Sequence, residues 1–240
     1  MAPSTASSST TQSTRKPIDV LPDQLSLFAA NVHPIVLISL LLFNFRSLVR
    51  EPSSTLLGLA PTIAALQLAY CVLCLPMSGQ APPPVSKSAQ KKKAAKYTQD
   101  LGLKIVPAFL SLFLTITLSA PLLFVTVIMF GGPLVSNTIE TLLLALHFAL
   151  LTSPQLFFAH GLDKHTWLRI ASLQLPIDEA YGMSLGACLG AWIGAIPIPL
   201  DWDRDWQRWP VTIVAGVYIG AIAGKLIGGY VLKGLKMRIT

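Results

Sequence analysis

The densest group of charged and aromatic side chains lies in residues 201–210, near the C-terminal end of the sequence. It contains three aspartates, two arginines and three tryptophans: Asp201, Trp202, Asp203, Arg204, Asp205, Trp206, Arg208 and Trp209. Alternating carboxylates and guanidinium groups predict local ion pairs that fix a turn. Tryptophan is typical of the membrane–water interface, because its ring is apolar and its N–H is polar. The run is open to three interpretations, which are a site for lipid headgroups, a docking surface for a protein and an anchor in the membrane surface.

A membrane enzyme or lipid transporter would need its charged groups in one cluster, and the candidates are Asp201, Asp203, Asp205 and Lys225. Phospholipid chemistry uses clustered acids, histidines or metal ligands at the level of the headgroups. The four histidines are scattered along the chain, and no H-E-x-x-H motif is present. The sequence therefore predicts no catalytic residue, no metal site and no cofactor. The enzyme or transporter stays as the alternative function.

Several reactive side chains lie inside apolar segments. Glu140 and His147 are seven positions apart, on one face of a predicted helix, and predict hydrogen bonds to neighbouring helices. A proton or substrate path is the alternative for this pair. The helix rise places Lys225 about 10 Å from the predicted cytosolic end of the last apolar segment. We predict that its side chain extends to the membrane surface. Pairing with an acidic side chain is the alternative. Cys71 and Cys74 predict core packing, because they lie within an apolar segment.

These residues belong to a chain with the composition of a membrane protein. Apolar residues make up 52% of its 240 residues, charged residues only 12%, and the mean hydropathy is +0.61. A helix that crosses about 30 Å of hydrocarbon needs roughly 20 mostly apolar residues. Six continuous apolar segments approach this length, at residues 25–45, 56–75, 105–130, 138–159, 181–200 and 211–232. We predict an all-α integral membrane protein with about six transmembrane helices, since no segment alternates in polarity.

The basic residues predict the orientation of these helices. The net charge is +7, but the basic residues flank the apolar segments instead of forming one face, so no nucleic acid partner is predicted. Thirteen Lys and Arg residues fall on one predicted side of the membrane and four on the other, which are Arg46, Arg50, Arg204 and Arg208. The positive-inside rule then places both termini in the cytosol and residues 201–210 on the opposite side.

The sequence outside these segments divides into a tail and connections. Residues 1–24 begin with a Ser/Thr-rich stretch and predict a disordered cytosolic tail; a mitochondrial transit peptide, the alternative, would carry more positive charge and an amphipathic pattern. Residues 25–240 form the predicted membrane domain. Within it, residues at about 76–104 carry consecutive prolines and a lysine cluster, which predicts a flexible cytosolic linker. Residues 160–180 mix Trp, Leu and charged side chains, which predicts a short interfacial helix.

Glycine recurs at every fourth position in the last two apolar segments. Eight glycines form two stripes, one on a face of each predicted helix: Gly182, Gly186, Gly190 and Gly194, then Gly216, Gly220, Gly224 and Gly228. Glycine costs about 1 kcal/mol in helix propensity relative to alanine, so the stripes need a compensating contact. In lipid, small residues let two helix backbones approach closely. We predict a glycine-striped C-terminal helical hairpin; a scaffold in which the stripes join two copies of the chain is the alternative.

The hairpin carries a resemblance to a known family. Residues 194–210 read Gly-Ala-Ile-Pro-Ile-Pro-Leu-Asp-Trp-Asp-Arg-Asp-Trp-Gln-Arg-Trp-Pro and are followed by Gly216, Gly220 and Gly224. This run resembles the signature of the PIG-F family of glycosylphosphatidylinositol (GPI) anchor biosynthesis. The length of the chain, its apolar segments and its basic linker agree, and the tail and linker look like those of a fungal member. The match is specific over residues 181–228, and the first 160 residues agree in pattern only.

The resemblance implies a multi-pass protein of the endoplasmic reticulum membrane that stabilises and supports large ethanolamine phosphate transferases, similar to PIG-O and PIG-G. Those partners add phosphoethanolamine to the mannoses of the anchor precursor, and catalysis is attributed to their own lumenal metal-dependent domain. The implied role is a noncatalytic accessory subunit whose partners are such a transferase and membrane lipids. We infer its partner-binding or structural residues from the hairpin: Asp201, Trp202, Asp203, Arg204, Trp206, Gln207, Trp209 and Pro210.

Overall fold

The structure of the chain, a computed structural model, describes residues 16–79, 93–200 and 202–236. Its α-helices are α1 (Gln24–Arg50), α2 (Pro52–Cys74), α3 (Lys93–Leu114), α4 (Ala120–Met129), α5 (Thr138–Thr152), α6 (Pro154–His160), α7 (Lys164–Ala171), α8 (Glu179–Ala195) and α9 (Val211–Leu226). A π-helical turn, Thr115–Ser119, joins α3 to α4, and a second, Ile227–Val231, extends α9. The described residues contain no strand, so the all-α prediction is confirmed for this part of the chain.

The structure describes part of the predicted tail and part of the predicted linker. The tail up to Arg15 and linker residues 80–92 lie outside the described residues. α3 begins at Lys93, inside the predicted linker, because residues 93–96 are lysine and alanine, which are good helix formers. Residues 16–22 are not helical, but the backbone N–H of Ile18 donates to the Asp178 carboxylate over 3.0 Å. This contact holds the end of the tail against the helix bundle.

Five helical stretches among the described residues are long and apolar enough to cross a membrane: Gln24–Arg50, Pro52–Cys74, Gly102–Met129, Thr138–His160 and Val211–Val231. The remaining predicted segment, residues 181–200, is helical only to Ala195, and α8 has 17 residues, or about 25 Å. Pro197 and Pro199 lack the N–H that would continue the helical ladder. The chain instead continues in tight turns, with the N–H of Ile198 donating to the carbonyl of Ala195 over 3.2 Å.

Contacts between connections show that the helices run back and forth between two ends of the bundle. At one end, called the turn end, residues 46–55, 130–141, 196–200 and 202–210 meet; the Ser53 hydroxyl, for example, donates to the Glu140 carboxylate over 2.7 Å. At the other, called the terminal end, residues 16–30, 72–79, 158–180 and 225–236 meet, and the N–H of Ser78 donates to the carbonyl of Phe158 over 2.9 Å. The described parts of successive connections therefore alternate between the two ends.

The core lies among α1, α2, α5, α8 and α9. In the most apolar window of each stretch, 83% of the residues of Thr138–His160 are buried, against 17% for Gly102–Met129. The α5–α6 stretch is therefore central and the α3–α4 stretch peripheral. The core surrounds the start of α9 and holds the hairpin in place.

The predicted helix within residues 160–180 is α7. Its first turn is capped by the Asp163 carboxylate, which accepts from the N–H of Thr166.

Candidate functional site: the glycine hairpin and its turn

The two glycine stripes face each other across the contact between α8 and α9. A Cβ atom added to Gly186 would lie 2.6 Å from Cα of Gly224, and one added to Gly220 would lie 2.8 Å from Cα of Gly190. At each of the eight positions, an added Cβ would lie closer than 3.0 Å to a backbone atom across the interface. Such contacts exclude every side chain larger than hydrogen. The stripes therefore pair within one chain, which gives no support to the alternative in which they join two copies.

Close packing of the glycines leaves an apolar groove along one side of the hairpin. The groove has a volume of about 720 Å³, and Trp206 lines it at the turn end. Its floor is glycine backbone, and its walls include Leu189, Ile193 and Ile219, which are exposed. An exposed apolar wall is what a lipid-facing helix surface requires.

The turn between α8 and α9 is closed by one side chain, Gln207. Its amide N–H groups donate to the carbonyls of Pro197 over 2.8 Å and of Leu200 over 2.7 Å. Its amide oxygen accepts from the backbone N–H of Arg204 over 3.0 Å. Three hydrogen bonds from one amide join both arms of the turn. Gln207 is one of the residues predicted to be partner-binding or structural, and its position in the sequence does not reveal this closing role.

Two further side chains fasten the turn to the rest of the bundle. The Arg208 guanidinium donates to the carbonyls of Val49 and Arg50 over 3.1 and 3.0 Å. The Trp209 indole N–H donates to the Thr141 hydroxyl over 3.1 Å. The carbonyls at the end of α1 lack helical partners and carry the negative end of the helix dipole, so an arginine stabilises them.

The ion pairs predicted within the turn are not observed among its described residues, 202–210; Asp201 lies outside them. The Arg208 guanidinium instead donates hydrogen bonds to backbone carbonyls at the end of α1. The reason is geometric, since the turn folds back on the α1–α2 connection and offers Arg208 two carbonyls that have no other partner in their helix. The prediction of local ion pairs was therefore wrong for this part of the chain.

The remaining side chains of the turn point away from the bundle. Trp202 is 54% exposed and its ring lies 5.8 Å from that of Trp206, centroid to centroid. Asp203, Arg204 and Asp205 are exposed, whereas Pro210 is buried at the start of α9. The predicted site residues thus divide into a set that fixes the turn, which comprises Gln207, Arg208, Trp209 and Pro210, and an exposed set, which comprises Trp202 to Asp205 with Trp206 at its edge. The exposed set is available for contact with another molecule.

A second polar group, at the terminal end of the hairpin, surrounds Lys225. The Lys225 ammonium donates to the carbonyl of Ala30 over 2.7 Å, lies 3.8 Å from the Glu179 carboxylate and sits 4.1 Å above the centre of the Tyr70 ring. The Tyr70 hydroxyl donates to the same carboxylate over 3.2 Å. Lys225 is buried, so its predicted extension to the membrane surface is wrong and the alternative of an acidic partner is correct. Glu179 is close because the glycine contact brings the start of α8 beside the end of α9.

Asp178 connects this group to the N-terminal segment. Its carboxylate caps α8 by accepting from the N–H of Tyr181 over 2.9 Å, and it also accepts from the N–H of Ile18. Burial raises the pKa of Asp178 to about 6, although the hydrogen bonds from the backbone favour the charged form. Sequence reasoning did not single out Asp178, Glu179 or Tyr70. The sequence feature that could have predicted this group is Lys225 itself, because an ionisable side chain within a membrane segment usually pairs with another polar group.

The prediction for Glu140 and His147 is confirmed. The ring nitrogens of His147 lie 2.7 Å from the Tyr218 hydroxyl of α9 and 2.9 Å from the Leu56 carbonyl of α2. Glu140 accepts from Ser53 of α2. These contacts join α5 to two neighbours through groups that would otherwise be unpaired in an apolar interior. Cys71 and Cys74 are buried in the core, as predicted.

Of the groups proposed for the enzyme alternative, the described ones, Asp203, Asp205 and Lys225, do not come together. The aspartates of the turn precede α9, whereas Lys225 lies 14 residues into it, which corresponds to about 21 Å along the helix. In the described ranges, no three His, Cys, Asp or Glu side chains form a group that could hold a metal ion.

Comparison with known proteins places the chain in a family. A family model described as "GPI biosynthesis protein family Pig-F" matches residues 32–229. The chain is similar to Glycosylphosphatidylinositol anchor biosynthesis protein 11 of Neurospora crassa, with 38% identity over 232 residues that cover 95% of this chain and 84% of the relative. The protein of the same name from Aspergillus fumigatus is 37% identical, covering 88% and 82%, and that from Yarrowia lipolytica is 33% identical, covering 89% and 87%. No solved structure matches.

The matched range contains both glycine stripes, the turn and the residues that fasten it. The resemblance seen in residues 194–210 is confirmed, and it extends over most of the chain. The chain belongs to the Pig-F family of GPI biosynthesis proteins.

Proposed function

We propose that this protein is a noncatalytic membrane subunit that stabilises and supports the ethanolamine phosphate transferases, similar to PIG-O and PIG-G, that add phosphoethanolamine to the mannoses of the GPI anchor precursor. It resides in the endoplasmic reticulum membrane with both termini in the cytosol and the turn end in the lumen. The observation that carries the proposal is the exposed turn between α8 and α9, whose described residues are fastened to α1 and α5.

Contacts on both sides fix the described part of the turn in place. Gln207 closes it, while Arg208 and Trp209 fasten it to α1 and α5. A surface that is fixed before binding loses little conformational entropy when a partner docks. Tryptophan and arginine are also enriched among the residues that dominate binding energy in protein interfaces. Trp202, Arg204 and Trp206 supply both types at this surface.

The test is affinity purification of the tagged chain in mild detergent from cells that make GPI anchors, followed by identification of the copurifying proteins. We expect a large multi-pass transferase. Trp202→Ala and Trp206→Ala should each lower the recovered transferase, by about 2 kcal/mol of binding free energy if the residue is a hot spot. Trp192→Ala is the matched control, because Trp192 is 66% exposed on α8 and lies outside the turn.

Failure of the unaltered chain to retain any transferase would contradict the proposed function. If both tryptophan variants retained the transferase normally, the contact would have to lie on another surface of the chain. The chain purified without its partner, given an ethanolamine phosphate donor and a mannosylated precursor, should yield no product. Turnover that Asp203→Asn abolishes would favour the enzyme alternative.

Orientation in the membrane has a separate test. A cysteine at Ser88, in the linker, should react with an impermeant thiol reagent applied from the cytosolic side. A cysteine at Val135, which is 91% exposed at the turn end, should react only after the lumen is opened. Reaction of both positions in intact membranes would contradict the alternating arrangement. Replacing Cys188 by alanine removes the exposed native thiol.

A further inference from the structure

A second cavity opens at the turn end, between the last turns of α1 and the first turns of α2. Its volume is about 530 Å³, and its polar lining includes Ser47, Arg50, Glu51, Ser54 and Thr55. α1 has 27 residues, or about 40 Å, which exceeds the thickness of the hydrocarbon, and the cleft lies beside its last turns. The cleft adjoins the turn, because the carbonyl of Arg50 accepts from Arg208.

The two charged residues of the cleft are opposite in sign, and both are free to bind a ligand. Arg50 and Glu51 are exposed, and neither forms an ion pair with another residue in the part of the chain that the structure describes. Arginine is suited to phosphate, because its guanidinium donates parallel hydrogen bonds to two oxygens. A carboxylate attracts an ammonium group. A ligand with one phosphate and one amine would match both charges, whereas an anionic ligand would leave Glu51 without a partner.

The remaining lining discriminates between the two common zwitterionic headgroups. Quaternary ammonium groups are recognised by aromatic side chains, and the cleft has none among its lining residues. Its hydroxyl groups and the Glu51 carboxylate accept hydrogen bonds instead. A primary ammonium donates three such bonds and a choline group donates none. The cleft therefore fits phosphoethanolamine better than phosphocholine.

The cleft also continues toward the membrane centre. Gly58 lies on α2 seven residues beyond Glu51, about 10 Å deeper, and a Cβ added to it would meet no atom within 4 Å. This open, apolar part leads from the polar lining into the region of the acyl chains. We infer that the cleft between α1 and α2 binds the phosphoethanolamine headgroup of a membrane phospholipid, with an acyl chain beside Gly58. Such binding needs no transferase; only its use as a donor would rest on the proposed function.

The experiment uses the purified full chain in phosphatidylcholine nanodiscs that contain a trace of one of two photoreactive lipids. The two lipids share acyl chains with a diazirine group and differ only in an ethanolamine or a choline headgroup. Mass spectrometry measures labelling of residues 42–59. We expect about tenfold more labelling by the ethanolamine lipid, since charge-assisted hydrogen bonds to Arg50 and Glu51 are the strong contacts.

Variants assign this preference to the cleft. Arg50→Gln and Glu51→Gln should each bring the two lipids to similar labelling, while Gly58→Leu should lower labelling by both. Arg46→Gln is the matched control, because Arg46 is an exposed arginine one turn earlier on α1 that does not line the cleft. It should keep the full preference. Circular dichroism and thermal unfolding verify that each variant is folded.

Equal labelling of the unaltered chain by both lipids, or an unchanged preference in Arg50→Gln, would overturn the inference. Soluble glycerophosphoethanolamine separates the two sources of the headgroup and should compete weakly, because it lacks acyl chains. Competition as strong as that by unlabelled phosphatidylethanolamine would overturn the assignment to a lipid. No transferase is present in these measurements, so their failure would leave the proposed function standing.

Discussion

Replacing Gly220 by leucine is expected to force α8 and α9 apart. Its Cβ would lie 2.8 Å from Cα of Gly190, and backbone atoms cannot move aside as a flexible side chain can. Overpacking typically costs 1 to 3 kcal/mol, and with backbone on the opposing side we expect about 3 kcal/mol. The free energy of unfolding in mixed micelles, measured by titration with a denaturing detergent, should fall accordingly. Gly190→Leu should behave in the same way.

The matched control is Gly102→Leu. Gly102 lies in α3, where an added Cβ would meet no atom within 4 Å, and leucine is a better helix former than glycine. This variant should be at least as stable as the unaltered chain, so the fraction of denaturing detergent that unfolds it should be the same or higher. The hairpin variants should also retain less transferase, because separation of the helices removes the base on which the turn is built. Unaltered stability of Gly220→Leu would contradict the observed contact.

Removing the acidic partner of Lys225 is the second change with a large expected effect. Glu179→Gln leaves the buried ammonium with the Ala30 carbonyl and the Tyr70 ring but without a counter-charge. Breaking a buried ion pair on one side costs about 3 to 5 kcal/mol; because the two charges are 3.8 Å apart, we expect the lower end of this range. Lys225→Met combined with Glu179→Gln removes both charges and should restore most of the stability.

An exposed pair in the same chain provides the comparison. Lys233 and Asp19 are 2.6 Å apart, but their side chains are 48% and 68% exposed. Exposed pairs contribute about 0 to 1 kcal/mol, so Asp19→Asn should change the unfolding free energy far less than Glu179→Gln does. Equal effects of the two substitutions would show that the Lys225 ammonium reaches solvent.

The turn end concentrates the features that bear on function. The exposed set of the turn and the polar cleft adjoin through Arg208, whose guanidinium contacts the backbone of Arg50. A partner that docks on the turn would therefore lie beside the cleft. In the proposed complex, this arrangement would hold a phosphoethanolamine lipid next to the transferase.

The sequence by itself determined the membrane class, the course of the helices and the hairpin. A helix needs about 20 apolar residues to cross the bilayer. This requirement applies to each segment separately, so each helix can be predicted from its own residues. The glycine stripes were equally readable, because a four-residue period places small residues on one face of each helix. Only the structure shows that the two faces pair within one chain. Family membership followed from the unusual run at residues 194–210.

Only the tertiary structure decided how the isolated polar groups are paired. Lys225 meets Glu179 across the hairpin and Ala30 from α1, and Arg208 bonds to the end of α1 rather than to a neighbouring aspartate. The cleft of Arg50 and Glu51 likewise depends on how α1 and α2 diverge. A polar side chain in a membrane protein takes the partner that packing brings within about 3 Å, and that partner can lie almost anywhere along the chain. Local patterns specify which segments are buried, whereas the pairing of charges depends on which helices meet.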